Sequence, residues 1–291
     1  MTWDRHLDRL IALAFDEDLG AAGDITTNAL VPPSARGSAE LWAKEEMVLS
    51  GLEVFARVFE KFDARVKVAL LAHDGDRTSR HQCVAKLNGP LRALLGAERT
   101  ALNIVQRMSG IATMTAHAVA AVRGGSLKVL DTRKTSPGMR ALAKKAVRDG
   151  GGDNHRFGLF DGVLIKDNHL AAVGGSVSEA LRRARANAPR LVKLEVEITD
   201  LKQLKAAIDG GADVVMLDNM SDAEIKKAVA QANGRVELEV SGGVTLERLS
   251  TLSRIGVDFV SMGALTHSAR AMDLSLEILP RASRARGSKS R

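Results

Sequence analysis

LVKLEVEI (191–198) and ADVVMLDN (212–219) are short apolar runs of strand length, and the segment between them, DLKQLKAAIDGGA (200–212), repeats its apolar residues at three- and four-residue spacing. A strand, an amphipathic helix and a second strand make a βαβ unit. The pattern recurs outward in both directions, in KVLD (128–131), GVLIKD (162–167), VELEVSGG (236–243) and VDFVSMGAL (257–265), with SVSEALRRARANA (176–188) as a further helical stretch. Such alternation predicts a mostly parallel sheet with helices packed on it.

An open doubly wound sheet and a closed barrel share that alternation, and the ends of the runs distinguish them. Nearly every run finishes on a residue with chemistry to offer: Asp131, Arg133 and Lys134; Lys166; Glu197; Asp218; Ser241, Gly242 and Gly243; Gly263. In a barrel the carboxyl ends of all strands converge on one mouth, whereas an open sheet gathers ligands mainly at its switch point. The reading is therefore an α/β barrel over 116–280. Only six strands are countable, so a barrel of six or seven strands, short of full closure, is allowed.

The first 115 residues read differently. SAELWAKEEMVLSG (38–51), RVKVALLAHDGDR (65–77) and CVAKLNGP (83–90) resemble antiparallel strands, with turns expected at Asp74-Gly75 and Asn88-Gly89. They predict a separate α+β sandwich domain, joined to the barrel by a long helix over about Ala97 to Val122.

Composition narrows the function classes. The chain has no Tyr and two Trp in 291 residues, so it lacks the aromatic platforms on which single-stranded nucleic acids stack. No nucleic-acid partner is expected. The formal charge of +7 favours anionic ligands, but Arg281, Arg284, Arg286, Lys289 and Arg291 in the last eleven residues account for all of it except +2. That tail, 281–291, reads as a disordered basic segment. A lone cysteine, Cys83, excludes an internal disulfide, and neither an apolar signal core nor a run of 18 apolar residues occurs. A cytoplasmic location and no membrane partner are expected.

Three groups of residues carry the chemistry. SGGV (241–244) and GALTHS (263–268) lie one βα unit apart on the last two strands, where barrels frequently bind a phosphate on backbone N–H groups; the bland alternative is a pair of tight turns. Glu197 and Asp218, ending neighbouring strands, either hold one divalent cation or are simply solvated. Magnesium suits so sparse a pair, because it keeps waters and takes phosphate oxygens from its substrate. The third group is cationic: Arg133 and Lys134, His155 and Arg156, and Lys166, all following strands or Gly-rich loops. Several cations together suit a ligand with more than one carboxylate or phosphate. Lys166 by itself also permits a Schiff-base aldolase, although its cationic neighbours fit anion binding better.

The ordered strings DTRKTSPG (131–138), GGGDNHRFGLFDGVLIKDNH (150–169), LEVEI (194–198), MLDNM (216–220), EVSGGV (239–244) and GALTHS (263–268) resemble the quinolinate phosphoribosyltransferase family. EDLGAAGDITT (17–27) and ERTALNIVQRMSGIAT (98–113) extend the likeness into the amino-terminal half. The resemblance implies transfer of a phosphoribosyl group from phosphoribosyl pyrophosphate to quinolinate with decarboxylation, in NAD biosynthesis. It places quinolinate against Arg99, Arg133, His155, Arg156 and Lys166, with Arg99 reaching the neighbouring site of a homodimer or an assembly of dimers. The ribosyl donor falls to Lys134, Glu197, Asp218, Ser241, Gly242, Gly243, Gly263 and His267, with Mg²⁺ at the two carboxylates, and Thr132, Ala264 and Leu265 are counted among the substrate-binding positions. Lys134, Glu197 and Asp218 are the implied catalytic residues. Ser136 stands where the family more often has Thr, and 74–90 lacks a usual turn glycine; neither touches a charged ligand group. Two other readings compete, a paralogue of the same fold associated with molybdenum transport and, more distantly, nicotinate phosphoribosyltransferase. The intact DTRKT and NHR strings weigh against the first, and a pocket this rich in cations suits two carboxylates better than one.

Overall fold

Six parallel strands stand in the order β6-β11-β10-β9-β8-β7 in the computed structural model, which describes residues 3–279. The basic segment 281–291 lies outside the described residues. The chain divides into two units, 1–110 with 271–291 and 111–270.

In the first unit, α1 (Trp3–Leu19) and α2 (Ile25–Leu30) precede β1 (Arg36–Ala43), β2 (Met47–Val48), α3 (Leu52–Phe62), β3 (Lys67–Leu70), β4 (Arg77–Thr78) and β5 (Gln82–Pro90). α4 (Leu91–Ala121) begins in this unit and ends in the next. Along β1, Ala39, Leu41 and Ala43 alternate inward, as a half-buried strand requires. On α3, Val54, Phe55, Val58 and Phe59 share the buried stripe, and the rings of Phe55 and Phe59 meet edge to face at 5.0 Å. Asp74-Gly75 makes the expected turn, with Gly75 at φ +92°.

Asn88-Gly89 does not turn. Both residues continue β5, paired with Ser38 and Gly37 of β1. A Cβ on Gly89 would sit 2.9 Å from Val66 Cγ2 and 3.0 Å from its Cα, so this glycine serves close approach of two strands rather than reversal.

The second unit runs β6 (Lys128–Leu130), α5 (Arg140–Asp149), β7 (Val163–Ile165), α6 (Asp167–Ala172), α7 (Val177–Asn187), β8 (Leu194–Ile198), α8 (Leu201–Asp209), β9 (Val214–Asp218), α9 (Asp222–Ala232), β10 (Glu237–Ser241), α10 (Leu246–Ile255), β11 (Phe259–Ser261) and α11 (Ala264–His267). Side chains set the helix starts. Ser176 and Asp200 accept N–H bonds at the starts of α7 and α8, and Ser221 forms a reciprocal capping box with Glu224 on α9. Asn233 and Gly256, both left-handed, end α9 and α10.

The first strand of this unit pairs with the last, Lys128 to Phe259 and Leu130 to Ser261, which is how a barrel closes. Closure stops between β6 and β7, which share no ladder; on its open side β6 makes a single bridge, from Leu130 to Asp153 in the loop after α5. A six-stranded, incomplete α/β barrel results, in agreement with the sequence. Val196, Val215, Leu217, Val240 and Val260 face outward and pack, fully buried, against Leu181, Leu204, Ile225 and Leu249 of the helices. The strand residues between them, Glu195, Glu197, Met216, Asp218, Glu239, Ser241 and Ser261, face the other way and make an unusually polar barrel interior.

The domain boundaries shift from 115/116 to 110/111, and the second unit ends at Arg270 rather than 280. The cause is β12 (Leu274–Ile278), which lies antiparallel to β1 and completes the order β12-β1-β5-β3 in the first unit's sheet. Among the described residues no helix is long and apolar enough to cross a membrane.

Candidate active site

The loop leaving β6 carries Asp131, Thr132, Arg133 and Lys134 onto the mouth of the barrel. Asp131, with no exposed surface, accepts Lys144 Nζ at 2.6 Å, the His155 N–H at 2.8 Å and the Asn154 amide at 2.9 Å. Lys144 also donates to the His155 carbonyl at 2.7 Å. Burial pushes the Asp131 carboxyl up and the Lys144 amine down, each opposed by its partner's charge and hydrogen bond. Removing either partner would strand the other in a dry interior. This pair ties the DTRK loop to the NHR loop.

Arg140 adds a second tie, from Thr135 Oγ1 at 3.2 Å and the Arg133 carbonyl at 3.3 Å to the Phe157 carbonyl at 3.1 Å. Arg156 is lowered from its usual range by burial first and by the charge of Arg133 second, and its Nη1 donates to the Gly162 carbonyl at 2.9 Å. Arg133 Nε is buried without a hydrogen-bond partner. Two guanidiniums so placed form a receptor for anionic oxygens.

His155 is held on every polar atom. Besides its backbone bonds to Asp131 and Lys144, its Nδ1 accepts the Arg156 N–H at 2.7 Å, and its Nε2 stands 3.1 Å from Glu195 Oε2 and 3.7 Å from Glu239 Oε1. Burial opposes a charge on the ring, as does the charge of Lys144, but the Glu195 bond and the charges of Glu239 and Glu195 outweigh them and raise its pKa.

At the opposite side of the mouth the backbone is shaped by glycines. Gly242 and Gly243, after β10, both have positive φ, +92° and +57°. A Cβ on Gly242 would lie 2.2 Å from Asn219 Oδ1, so only glycine fits against that amide. Asn219, itself left-handed at φ +54°, donates to Asp218 Oδ2 at 2.8 Å. A Cβ on Gly263 would lie 2.9 Å from Lys134 Cδ, and Thr266 Oγ1 donates to the Lys134 carbonyl at 2.8 Å, which fastens the lysine loop to α11.

One cavity of about 670 Å³ joins Thr132, Arg133, Lys134, His155, Arg156, Lys166, Glu197, Asp218, Ser241, Gly242 and Gly243, all of them marked in the sequence. Lys166 pairs directly with Glu197, so a residue assigned to one ligand touches a residue assigned to the other. Gly263 and His267 stand beside Lys134, outside the cavity wall, and Leu265 is fully buried in the core with its side chain turned away. Arg99 is exposed on the first unit's part of α4. Lys144, Glu195, Glu239, Asn219 and Ser261 join the site without being marked among its residues in the sequence. The two-residue alternation of LEVEI and VELEV could have exposed the two glutamates, since it puts Glu195 with Glu197 and Glu239 with Ser241 on one face.

Glu197 and Asp218 fit a divalent cation in this setting. Each lines the cavity and keeps a second carboxylate oxygen outside the bonds to Lys166 and Asn219.

Comparison with known proteins agrees over both units. The quinolinate phosphoribosyl transferase C-terminal domain matches residues 111–277 and the N-terminal domain of the same family matches 24–109. A probable nicotinate-nucleotide pyrophosphorylase (carboxylating) from Bacillus subtilis is 43% identical over 273 residues, 94% of this chain and 93% of its own. The Mycobacterium leprae nicotinate-nucleotide pyrophosphorylase is 44% identical over 273 residues, covering 92% of this chain and 95% of its own length. The crystal structure of NadC from Streptococcus pyogenes superposes with a TM-score of 0.91 at 42% identity, over 96% of this chain and 99% of that one. With both domains matched end to end and the cationic and glycine-rich loops meeting in one cavity, the chain belongs to the quinolinate phosphoribosyltransferase family.

Proposed function

We propose that the protein transfers the phosphoribosyl group of phosphoribosyl pyrophosphate to the ring nitrogen of quinolinate and releases the 2-carboxylate as CO2, giving nicotinate mononucleotide and pyrophosphate for NAD biosynthesis. The observation that carries this reading is the buried, unpartnered Nε of Arg133 beside a desolvated Arg156, in the same cavity as the Gly242-Gly243 turn. Cations that repel one another in a dry wall are satisfied by an anionic ligand, and a dicarboxylate offers two groups.

Arg133, Arg156, His155 and Lys166 take the carboxylates and fix the pyridine ring. Lys134 and the glycine turns take phosphate oxygens, so that the ribosyl carbon faces the ring nitrogen. As the bond to pyrophosphate breaks, positive charge grows on the ribose, and Glu197 and Asp218 balance it. Glu197 and Asp218 would also hold Mg²⁺, which would supply positive charge to the leaving group. Once nitrogen is alkylated its positive charge accepts the electron pair left at C2 as CO2 departs, so the protein need only hold the ring dry and still.

The working form in this reading is a homodimer or an assembly of dimers with Arg99 completing the neighbouring site, in the cytoplasm, where the single thiol of Cys83 stays reduced. Purified protein given quinolinate, phosphoribosyl pyrophosphate and Mg²⁺ should form nicotinate mononucleotide and CO2, and none when nicotinate replaces quinolinate. Turnover of nicotinate alone, or of neither, overturns the substrate assignment.

A further inference from the structure

A second cavity, of about 510 Å³, opens at the amino-terminal ends of the strands, where Lys128, Val163, Val214 and Phe259 begin β6, β7, β9 and β11. Its lining includes Glu195 and Glu239, which the mouth cavity does not reach, and it shares His155 and Arg156 with the mouth. Glu195 and Glu239 are 7% and 2% exposed, and Oε1 of each is buried without a hydrogen-bond partner. Two carboxylates in the centre of a barrel, where apolar side chains ordinarily fill the layers, need a reason to be there.

A metal ion is the first reason to weigh, because His155, Glu195 and Glu239 bring ligand atoms within 4.8 Å of one another. The imidazole decides against it. Nδ1 accepts the Arg156 N–H, which leaves the ring proton on Nε2, the atom facing the glutamates. A metal needs the Nε2 lone pair, and this tautomer offers an N–H in its place. The carboxylates therefore serve the ring.

We propose that Glu195 and Glu239 are positioning residues for the quinolinate end of the site, acting through the imidazole of His155. Glu195 takes the Nε2–H and Glu239 stands behind it, so the ring cannot rotate without giving up that contact. Because Nδ1 holds the backbone N–H of Arg156, the same restraint passes to the neighbouring guanidinium loop. Neither glutamate lines the mouth, so neither touches substrate, and the glycine turns after β10 and β11 do not depend on them. The inference rests on the quinolinate reading for its kinetics and on geometry alone for its ring orientation.

The test combines kinetics with nitrogen-15 NMR of the His155 imidazole. Glu195→Ala should raise the quinolinate KM by roughly 10–100-fold, the range carried by groups that orient a functional histidine from behind. The phosphoribosyl pyrophosphate KM should stay near wild type, and the His155 Nε2 resonance should leave its hydrogen-bonded position, while Nδ1, held by the Arg156 N–H, keeps its own. Glu195→Gln should recover most of the loss, since its amide oxygen still accepts the Nε2–H. Glu239→Gln provides a second variant of unchanged shape, expected to show a smaller rise confined to quinolinate. A quinolinate KM that does not move, equal shifts for both substrates, or an unmoved Nε2 resonance in Glu195→Ala would each overturn the proposal. Should the wild-type protein fail to turn over quinolinate, the substrate reading falls, and the Nε2 resonance still decides whether Glu195 holds the ring.

Discussion

The two sides of the mouth are built by different means. On the cationic side, side chains hold side chains: Asp131 and Lys144 lock the loop that presents Arg133 to the loop that presents His155 and Arg156, wholly out of water. On the glycine side the backbone itself is the binding surface, and its requirement is conformational, a run of positive φ at Asn219, Gly242 and Gly243. The first construction depends on a dry interior and fails by leaving a charge unpaired. The second depends on the absence of a Cβ and fails by strain.

The largest effect should come from breaking the first construction. Asp131→Ala leaves Lys144 buried without its partner and should cost about 3–5 kcal/mol of stability, read by urea unfolding. A loss below about 1 kcal/mol would show that the loops are held by something other than this pair. Next in size is the division of labour between the sides. Arg156→Ala should weaken quinolinate by about 1.5–3 kcal/mol, roughly 10–150-fold in KM, and spare phosphoribosyl pyrophosphate. Lys134→Ala and Glu197→Ala should chiefly raise the KM for the ribosyl donor; identical profiles in all three variants would erase the distinction.

The glycine side predicts its own gradient. Gly242→Ala forces a Cβ to within 2.2 Å of Asn219 Oδ1 at a φ of +92° and should cost about 1–3 kcal/mol, with the ribosyl donor's KM rising. Gly243→Ala meets nothing within 4 Å and bears only the left-handed conformation, roughly 1 kcal/mol. Thermal melts of the two variants side by side measure the difference, and equal losses would mean that the Asn219 contact yields. The smallest effect is a pH dependence. Burial, and then the charge of Glu195, lift the Glu239 carboxyl to about 7 from an ordinary 4.5, so ionising it in the folded state is penalised increasingly as pH climbs through that interval. Glu239→Gln should therefore gain more in melting temperature over wild type at pH 8 than at pH 5; the reverse order would mean that His155 fully neutralises the carboxylate.

Much of the barrel was legible because parallel strands and their helices repeat a simple pattern, and the ends of the strands announce themselves by carrying the polar residues. Asp131, Glu197, Asp218 and the Ser241-Gly242-Gly243 turn needed no coordinates to be noticed. Lys144 was not legible, since a lysine in the middle of RALAKKAVRD looks like a solvated helix face until the helix is seen to turn that side chain inward to Asp131. Glu195 and Glu239 were hidden for a related reason: charged residues alternating with valine and leucine read as the wet face of a strand, and only closure of the sheet makes that face an interior. Asn88-Gly89 misled because the same dipeptide that favours a hairpin turn also permits a strand to pass close to Val66. Leu265 sends its side chain into the core, because a short helix at the mouth has a face that must be buried.

The pairing of β12 with β1 has a consequence for synthesis on the ribosome. The first unit's sheet lacks an outer strand until residues 274–278 have emerged, long after its other strands and the whole of the barrel unit have been made. Through that interval β1 presents an unpaired edge with Leu41 and Trp42 on it, the kind of edge to which a second chain can add. β12 thus acts as a seal applied only after the barrel has been made, and a chain broken off before residue 274 would carry every residue of the mouth and still leave that edge open.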